Sequence, residues 1–189
     1  KMFVIGDLIL SRGGSVNPLK FLDETFEYYS IPAYDEGSPS VSKGDSIGSS
    51  KKLFQPNDVL LSRIVPHIRR CWVVGENTGR RQIGSGEWIV FRSDKVNPVF
   101  LKYYLMSDEF NSKFMKTIKG VGGSLMRADP KQVGRFDFYL PPMDLQELFC
   151  ARIKEIDEQK RVVKEAYDNA EILRKSLLQK AFKGELTNE

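Results

Sequence analysis

At residues 140–147 the sequence reads Leu140-Pro141-Pro142-Met143-Asp144-Leu145-Gln146-Glu147, and this stretch divides the 189-residue chain into two parts of different structure. Two consecutive prolines cannot continue a helix or a central strand, and they keep the backbone extended. Directly after them, Asp144 and Glu147 have the spacing of a capping box, with Asp144 as the N-cap residue of a helix. The sequence therefore predicts one domain over residues 1–142 and a helical segment over residues 143–189.

The predicted helix is long. From Asp144 to Lys183 the chain contains no Pro or Gly, and Gly184 then supplies the expected helix stop. Such a helix holds roughly 39 residues and extends about 58 Å at 1.5 Å per residue. Apolar side chains recur along it at intervals of three and four and form one stripe, which a lone helix cannot cover. The stripe residues are Phe149, Ile153, Ile156, Val163, Ala170, Leu173 and Leu177. We therefore expect a coiled coil, in which the stripe pairs with a second copy of the chain or with another subunit.

Residues 1–142 have the pattern of a mixed domain. Short β-branched or aromatic runs alternate with turn sequences such as Gly13-Gly14-Ser15. The predicted strands are Val4-Ile5, Leu8–Leu10, Val59–Ile64, Cys71–Val74, Trp88–Phe91 and Phe136–Leu140. Asn97-Pro98 begins a helical stretch that breaks at Ser107-Asp108 and ends at Gly120. The predicted fold class is therefore α+β, a mixed strand-and-helix domain followed by a long C-terminal coiled-coil helix.

Composition and motifs argue against several classes of protein. The 41% apolar and 11% aromatic residues are typical of a folded chain, and no apolar run approaches the ~20 residues that span a bilayer. Two cysteines, Cys71 and Cys150, and one histidine, His67, are present, and neither cysteine has a zinc-binding spacing. The chain has no P-loop, dinucleotide-binding, metalloprotease or nucleophile-elbow motif. We therefore expect a cytoplasmic, non-catalytic protein that uses no cofactor and no metal and does not bind a membrane.

Positive charge is concentrated in one part of the chain. Residues 1–140 carry 20 Lys and Arg against 15 Asp and Glu, whereas residues 141–189 carry 9 against 10. Within residues 43–81, eight basic side chains stand against three acidic ones. The basic residues are Lys43, Lys51, Lys52, Arg63, Arg69, Arg70, Arg80 and Arg81. Because arginine and lysine pair with phosphates and arginine also reads guanine edges, these residues and His67 are candidate nucleic-acid contacts.

Two further features extend this candidate surface. Asp7–Arg12 and Asp58–Arg63 share the pattern Asp, three apolar residues, Ser, Arg. This echo is either a coincidence or a sign that two strands each place an arginine at the same edge of the domain. A glycine-rich loop further along the chain is either a plain helix cap or a loop whose backbone amides approach a nucleic-acid phosphate. Its residues are Gly122, Gly123 and Ser124, followed by Arg127.

Five segments along the chain have an order and spacing that match a known family. They are Tyr29–Gly37, Pro56–Ile64, Gly84–Arg92, Leu140–Glu147 and Leu177–Leu186. The first three resemble parts of the target recognition domain of the specificity (S) subunits of type I restriction-modification systems, and the last two resemble the ends of the helical spacer of these subunits. The resemblance covers most of the chain. It implies a mixed α/β domain that docks on double-stranded DNA, mainly through the major groove, followed by a coiled-coil spacer.

The resemblance also implies a division of labour and an assembly. In this family the S subunit performs no chemistry, because methyltransferase (M) subunits modify adenine N6 with S-adenosylmethionine and a separate restriction (R) subunit uses ATP. A full S subunit has two recognition domains and two spacer helices, whereas this chain has one of each, so it is either a fragment or a natural half-subunit. We expect two copies to pair their 145–183 helices antiparallel. Such a homodimer reads a bipartite, palindromic target with half-sites about one helical turn, ~34–36 Å, apart.

Two other functions stay open from the sequence. The chain is a protein-interaction adaptor if its coiled coil assembles a complex while the basic residues only keep it in solution. It is an RNA-binding domain if aromatic side chains stack on bases, although these side chains fall in apolar contexts that suit core packing. The aromatic candidates are Tyr28, Tyr29, Tyr34 and Trp72.

Overall fold

A computed structural model describes residues 2–120 and 126–186, and the chain divides into two compact units, Lys1–Gln146 and Glu147–Glu189. The strands are β1 (Met2–Val4), β2 (Ser15–Val16), β3 (Thr25–Tyr29), β4 (Ser40–Lys43), β5 (Lys51–Leu53), β6 (Val59–Ser62), β7 (Cys71–Val73), β8 (Gln82–Gly84), β9 (Trp88–Phe91), β10 (Ile118–Lys119), β11 (Arg127–Ala128) and β12 (Asp137–Tyr139). The helices are α1 (Ile31–Asp35), α2 (Pro98–Met106), α3 (Asp108–Met115), α4 (Pro130–Val133) and α5 (Met143–Phe182). The predicted mixed strand-and-helix fold with a long C-terminal helix is confirmed.

The strands of the first unit form two larger sheets and two two-stranded sheets. The five-stranded sheet has the order β2-β5-β8-β3-β4, in which β3 and β8 run parallel and the other neighbours run antiparallel. The three-stranded sheet has the order β7-β6-β9 and is antiparallel throughout. Two-stranded pairs join β1 to β12 and β10 to β11. The pairing of β1 with β12 brings the start of the chain next to residues just before the Pro-Pro boundary.

The three-stranded sheet lies between two apolar clusters. Val59 and Leu61 of β6 belong to the cluster that includes α2 and α3, whereas Leu60 belongs to a second cluster with Trp88 and Tyr29. Every residue of β6 and of β9 is buried. Successive strand residues point to opposite faces, so a strand that is covered on both sides has a continuous apolar run. This explains why these two strands are the ones that the sequence predicts most directly.

Side-chain caps set the helix starts in the first unit. Asn97 accepts hydrogen bonds from the backbone of Val99 and Phe100, and Pro98 occupies the first turn of α2. Ser107 accepts from Phe110 N and caps α3. Both boundaries agree with the predicted helix start and the predicted break, because these side chains satisfy backbone donors that the first helical turn leaves unpaired.

Three local predictions are wrong. Leu8–Leu10 is not a strand, since Ile5–Leu8 form a 3₁₀ turn and Ile9 makes a single bridge to Phe91. The second helix ends at Met115, because the residues that follow turn away and enter the β10–β11 pair. Asp144 is not an N-cap residue, because α5 begins one residue earlier at Met143. The first turn of α5 is instead fixed by the buried side chain of Gln146, which bonds to the backbone of Asn97 and Pro141.

The second unit is the body of α5. Its charged residues form ion pairs three and four positions apart, including Arg161 with Glu158 and Glu165, an arrangement that supports exposed helices. The stripe predicted for pairing is largely accessible in a single copy: Phe149 and Ile153 are half-buried, and Ile156, Val163, Ala170, Leu173 and Leu177 are exposed. Searched over the described residues, the protein has no helix that is long and apolar enough to cross a membrane.

Candidate nucleic-acid interface

A basic cleft lies where the segment before β2 meets β5 and β9. Two adjoining cavities of about 430 and 470 Å³ share Leu10, Ser11, Lys52 and Val90 in their walls. Arg12 lines the first cavity, and Arg63 and Lys131 line the second. The structure thus brings together three residues that the sequence predicts as DNA contacts, Arg12, Lys52 and Arg63.

Two basic residues of the cleft wall, Lys52 and Arg63, lie next to a carboxylate that also binds Arg127. Arg63 Nε lies 3.1 Å from Glu87 Oε2, and Arg127 Nε donates to Glu87 Oε1 at 3.0 Å. Lys52 Nζ donates to the carbonyl oxygen of Trp88 at 2.8 Å, and burial, together with the charge of Arg63, lowers the pKa of Lys52. One carboxylate therefore serves two guanidinium groups beside an ammonium group, and this leaves excess positive charge to meet an anion.

The echo between Asp7–Arg12 and Asp58–Arg63 has a partial counterpart in the fold. Both segments run beside β9: Leu60 pairs with Val90 on one side, and Leu10 N donates to Val90 O at 2.8 Å on the other. One of the two segments is a strand and the other is not. Their terminal arginines nevertheless line adjoining cavities of the same cleft.

Lys51 and Lys52 are neighbours in the sequence but face in opposite directions, as successive residues of a strand do. Lys51 Nζ donates to Ser49 Oγ at 2.6 Å and lies 5.5 Å from the centre of the Tyr28 ring. The Lys51 side chain is buried, and this burial lowers its pKa. Lys51 therefore lies away from the cleft that Lys52 lines.

Other predicted contacts lie toward the far end of the five-stranded sheet. Lys43 pairs with Thr25 at the start of β3, whereas Lys52 pairs with Gly84, which in turn pairs with Tyr29 at the end of β3. Four steps along a strand span about 13 Å. The predicted contacts toward this end are Lys43, Arg80 and Arg81. Arg81 forms an ion pair with Glu24 and stacks on the ring of Phe21.

The loop between β6 and β7 holds three more predicted contacts. Arg69 Nη1 donates to Asp108 Oδ1 at 2.6 Å. Arg70 donates through Nε and Nη2 to both carboxylate oxygens of Asp35, each at 2.8 Å. His67 is exposed at the tip of the loop. Both arginines of the loop are therefore already engaged by carboxylates of the same chain.

Sequence reasoning missed Lys131, which lines the cleft, and Glu87, which pairs with Arg63 of the cleft wall. Lys131 lies on α4, whose first turn is capped by Asp129 and begins with Pro130; the Asp129-Pro130 pair is the signal that could have revealed this helix start. Glu87 had no such signal, because its role depends on strands that are distant in sequence. Gly122, Gly123 and Ser124 lie outside the described residues.

Of the aromatic residues considered for RNA stacking, Tyr29 is buried, and the other three are half-buried and pack against apolar clusters. Tyr29 is 1% exposed, and its ring centre lies 4.9 Å from that of Trp72, which packs edge-on against Tyr34 as well. Tyr28 is half-buried and packs on the cluster around Phe26. The structure does not support base stacking by these side chains.

The remaining reactive groups are few. Burial raises the pKa of the Cys71 thiol to about 12, so the thiol stays protonated near neutral pH. Over residues 2–120 and 126–186, no three His, Cys, Asp or Glu side chains are grouped so that they could hold a metal ion.

Solved structures with the same fold include two relevant to the type I systems. One is the crystal structure of the HsdS subunit from Thermoanaerobacter tengcongensis, with a TM-score of 0.75. The other comes from work on complex assembly and conformational transition of the type I R-M system, with a TM-score of 0.73. Each is 23% identical, and the match covers 96% of this chain and 48% of the matched chain. No protein-family model and no curated protein matches the chain significantly.

This chain spans about half the length of the solved chains that it matches. The resemblance expected from the sequence segments is confirmed at the level of the fold: this chain has the fold of about half of an HsdS specificity subunit.

Proposed function

We propose that this chain is a sequence-specific DNA-recognition subunit of a type I restriction-modification complex. It directs the adenine methyltransferase (M) and restriction (R) subunits to a bipartite target and is itself non-catalytic, with no cofactor of its own. The observation that carries this proposal is the HsdS fold over 96% of the chain. The basic cleft adds independent support, because excess positive charge is what a protein needs in order to bind the DNA backbone.

Within the first unit, the cleft is the proposed docking surface for double-stranded DNA. Arg12 is exposed, Lys52 Nζ is held by the carbonyl oxygen of Trp88, and Arg63 and Arg127 are held side by side by Glu87. A planar guanidinium group with fixed orientation binds a phosphate through two hydrogen bonds. Phosphate contacts of this kind fix the position of the protein on the duplex and carry no sequence information themselves.

In the second unit, the apolar stripe of α5 is the proposed dimer surface. Val163 and Leu173 are 68% and 70% exposed in a single copy, which is costly to leave in water on a helix of 40 residues. We propose that two copies pair these helices antiparallel as a coiled coil, so that two identical recognition domains read the two halves of a palindromic target. A coiled coil that binds a different protein is the alternative, and it corresponds to the adaptor function.

The ion pairs decide how DNA binding should be tested. Replacing Arg69 or Arg70 would break contacts to Asp108 and Asp35, and lost affinity would then be confused with a damaged fold. We therefore choose the double variant Arg12→Gln and Lys131→Gln, at two exposed residues of the cleft. The control, Lys20→Gln and Lys95→Gln, removes two positive charges from exposed positions outside the cleft. Circular dichroism and thermal melting check that both variants fold.

We expect the cleft variant to bind duplex DNA about tenfold more weakly and to reduce the salt slope of binding by about 1 to 2, because each phosphate contact contributes roughly 0.9. The control should keep the affinity and the slope of the unmodified protein. Fluorescence anisotropy with a labelled duplex, measured over a range of salt concentrations, gives both values. Equal affinity and slope in all three proteins would contradict DNA docking at the cleft and favour the adaptor.

A further inference from the structure

The loop between β6 and β7 contains a strained residue that the cleft does not explain. Val65 has a φ of 47°, a left-handed conformation that is a genuine outlier for a β-branched residue. Its carbonyl oxygen accepts a hydrogen bond from Ile68 N at 3.0 Å, which closes a turn around Pro66 and His67. Backbone strain persists only where the surrounding structure fixes it, and strained residues cluster at sites of function.

The surroundings fix this turn on both sides. Before the tip, Val65 N donates to Met126 O at 3.1 Å, and Arg63 lies in the wall of the cleft. After the tip, Arg69 and Arg70 are each held by a carboxylate, and Ser62 N donates to Arg70 O at 2.9 Å. The turn is therefore anchored on both sides, and it begins two residues after Arg63 of the cleft wall.

The tip presents two side chains with different chemistry. His67 is exposed, and its imidazole can donate to or accept from a base edge. Ile68 is 44% exposed and offers only a branched aliphatic surface. In the major groove the apolar group available to such a side chain is the C5-methyl group of thymine.

We propose that the turn Val65–Ile68 is a base-reading element of the DNA interface. His67 contacts a base edge, and Ile68 packs on a thymine methyl group in the major groove. Arg69 and Arg70 are positioning residues, since their guanidinium groups hold the turn instead of the ligand. This inference rests on the proposed DNA-recognition function, and it assigns base reading to two residues and phosphate contact to the neighbouring cleft.

The first experiment selects bound duplexes from a pool with a randomised segment and sequences them. It compares the unmodified full chain with His67→Ala, Ile68→Ala and a control, Leu22→Ala, at a 53% exposed apolar residue in the turn before β3. We expect each tip variant to lose roughly 5- to 150-fold of base preference at one or two positions, the range for one base contact. The other positions, the affinity for unselected duplex and the salt slope should not change, and the control should reproduce the unmodified motif.

The second experiment uses the selected duplex and replaces thymine by uracil, one position at a time, which removes only the methyl group. We expect one replacement to weaken binding of the unmodified chain about fourfold, the value for one buried methyl-sized group. Ile68→Ala should bind the thymine and uracil duplexes equally, whereas His67→Ala and Leu22→Ala should still distinguish them.

The outcomes separate the inference from the proposed function. If the unmodified chain enriches no motif and binds duplex DNA without salt dependence, the proposed function fails and the inference fails with it. If the unmodified chain enriches a motif that both tip variants retain at every position, base reading lies elsewhere, and only the inference is overturned. A position-specific loss in the tip variants, with a methyl effect that Ile68→Ala abolishes, supports it.

Discussion

At the scale of single residues, carboxylates determine which basic side chains are engaged within the protein. Among the described residues of the first unit, three arginines donate through Nε and Nη2 to the two oxygens of one carboxylate. Bidentate pairs of this kind fix side-chain orientation. The pairs are Arg70 with Asp35, Arg81 with Glu24, and Arg92 with Asp58. A run of basic residues in the sequence is therefore not the same as a basic surface.

The pair of Asp35 with Arg70 predicts a pH dependence of stability. The Arg70 guanidinium, through its hydrogen bonds and its charge, lowers the pKa of Asp35 below the ordinary value of 3.8. A carboxyl group whose pKa is lowered by folding stabilises the protein above the pKa of the unfolded chain, and this contribution is lost as the pH falls through the folded pKa. We expect Asp35→Asn to lower the free energy of unfolding at pH 6 and to lose this difference from the unmodified protein below about pH 4.

Urea unfolding at several pH values measures this effect, with Glu36→Gln as the control at the adjacent exposed carboxyl group. The control should follow the unmodified protein at every pH. A constant difference between Asp35→Asn and the unmodified protein from pH 3 to pH 7 would show that the loss is not electrostatic.

The candidate site was only partly predictable at this scale. Charge and spacing identified Arg12, Lys52 and Arg63, which do line one cleft. They could not distinguish Lys52 from its neighbour Lys51, because the direction of each side chain depends on the strand register. They also could not show that Asp35 engages Arg70, since this pair joins residues 35 positions apart. Long-range pairing, rather than local chemistry, separates the residues of the cleft from the rest.

At the scale of elements, the first turn of α5 is tied to α2 by one side chain. Gln146 is 1% exposed, its Oε1 accepts from Asn97 N at 2.8 Å, and its Nε2 donates to Pro141 O at 2.9 Å. The same Asn97 caps α2 with its own side chain. Gln146 therefore joins a helix cap to the extended segment that precedes α5.

We expect Gln146→Leu to lower the free energy of unfolding by about 2 kcal/mol, because it removes the hydrogen-bond partner of one backbone N–H, at half-buried Asn97, and of one carbonyl oxygen, at half-buried Pro141. Leucine is close in size, so lost volume contributes little. Glu147→Leu, at an exposed neighbouring position, should change stability by less than about 0.5 kcal/mol. Urea denaturation gives both values, and equal stability of the two variants would show that the Gln146 hydrogen bonds are replaced by water.

The predictability of the elements follows how closely their apolar pattern matches their burial. β6 and β9 are covered on both faces and have continuous apolar runs, so sequence pattern identifies them. The strand β3 is largely buried but mixes polar with aromatic residues, and β4 is half-exposed and mostly polar, so neither has the continuous apolar run that would have revealed it. The helix α1 is short and contains a proline, and its start depends on the Ser30 cap. The Pro-Pro boundary and the absence of Pro and Gly predicted α5 almost to the residue.

At the scale of the whole molecule, the question is which face of α5 meets a second copy. Val163 and Ile172 are 68% and 65% exposed, so exposure alone does not distinguish them. They are nine residues apart, and at 100° per residue they lie about 180° apart around the helix. Val163 belongs to the predicted stripe with Ile156 and Leu177, whereas Ile172 lies opposite it. The two positions therefore provide a matched pair for testing the antiparallel dimer.

We expect Val163→Glu to place a charge in the paired stripe and to weaken self-association at least tenfold, since a buried unpaired charge is costly. Ile172→Glu adds the same charge to the opposite face and should leave the dimer intact. Sedimentation at micromolar concentration distinguishes dimer from monomer. Sequencing of selected duplexes then gives the number of half-sites that are bound. The dimer should enrich two copies of a half-site in inverted orientation, and the Val163→Glu monomer only one. An unmodified chain that sediments as a monomer, both alone and with the methyltransferase subunit, would rule out the homodimer. Dissociation by Ile172→Glu but not by Val163→Glu would place the contact on the other face of the helix.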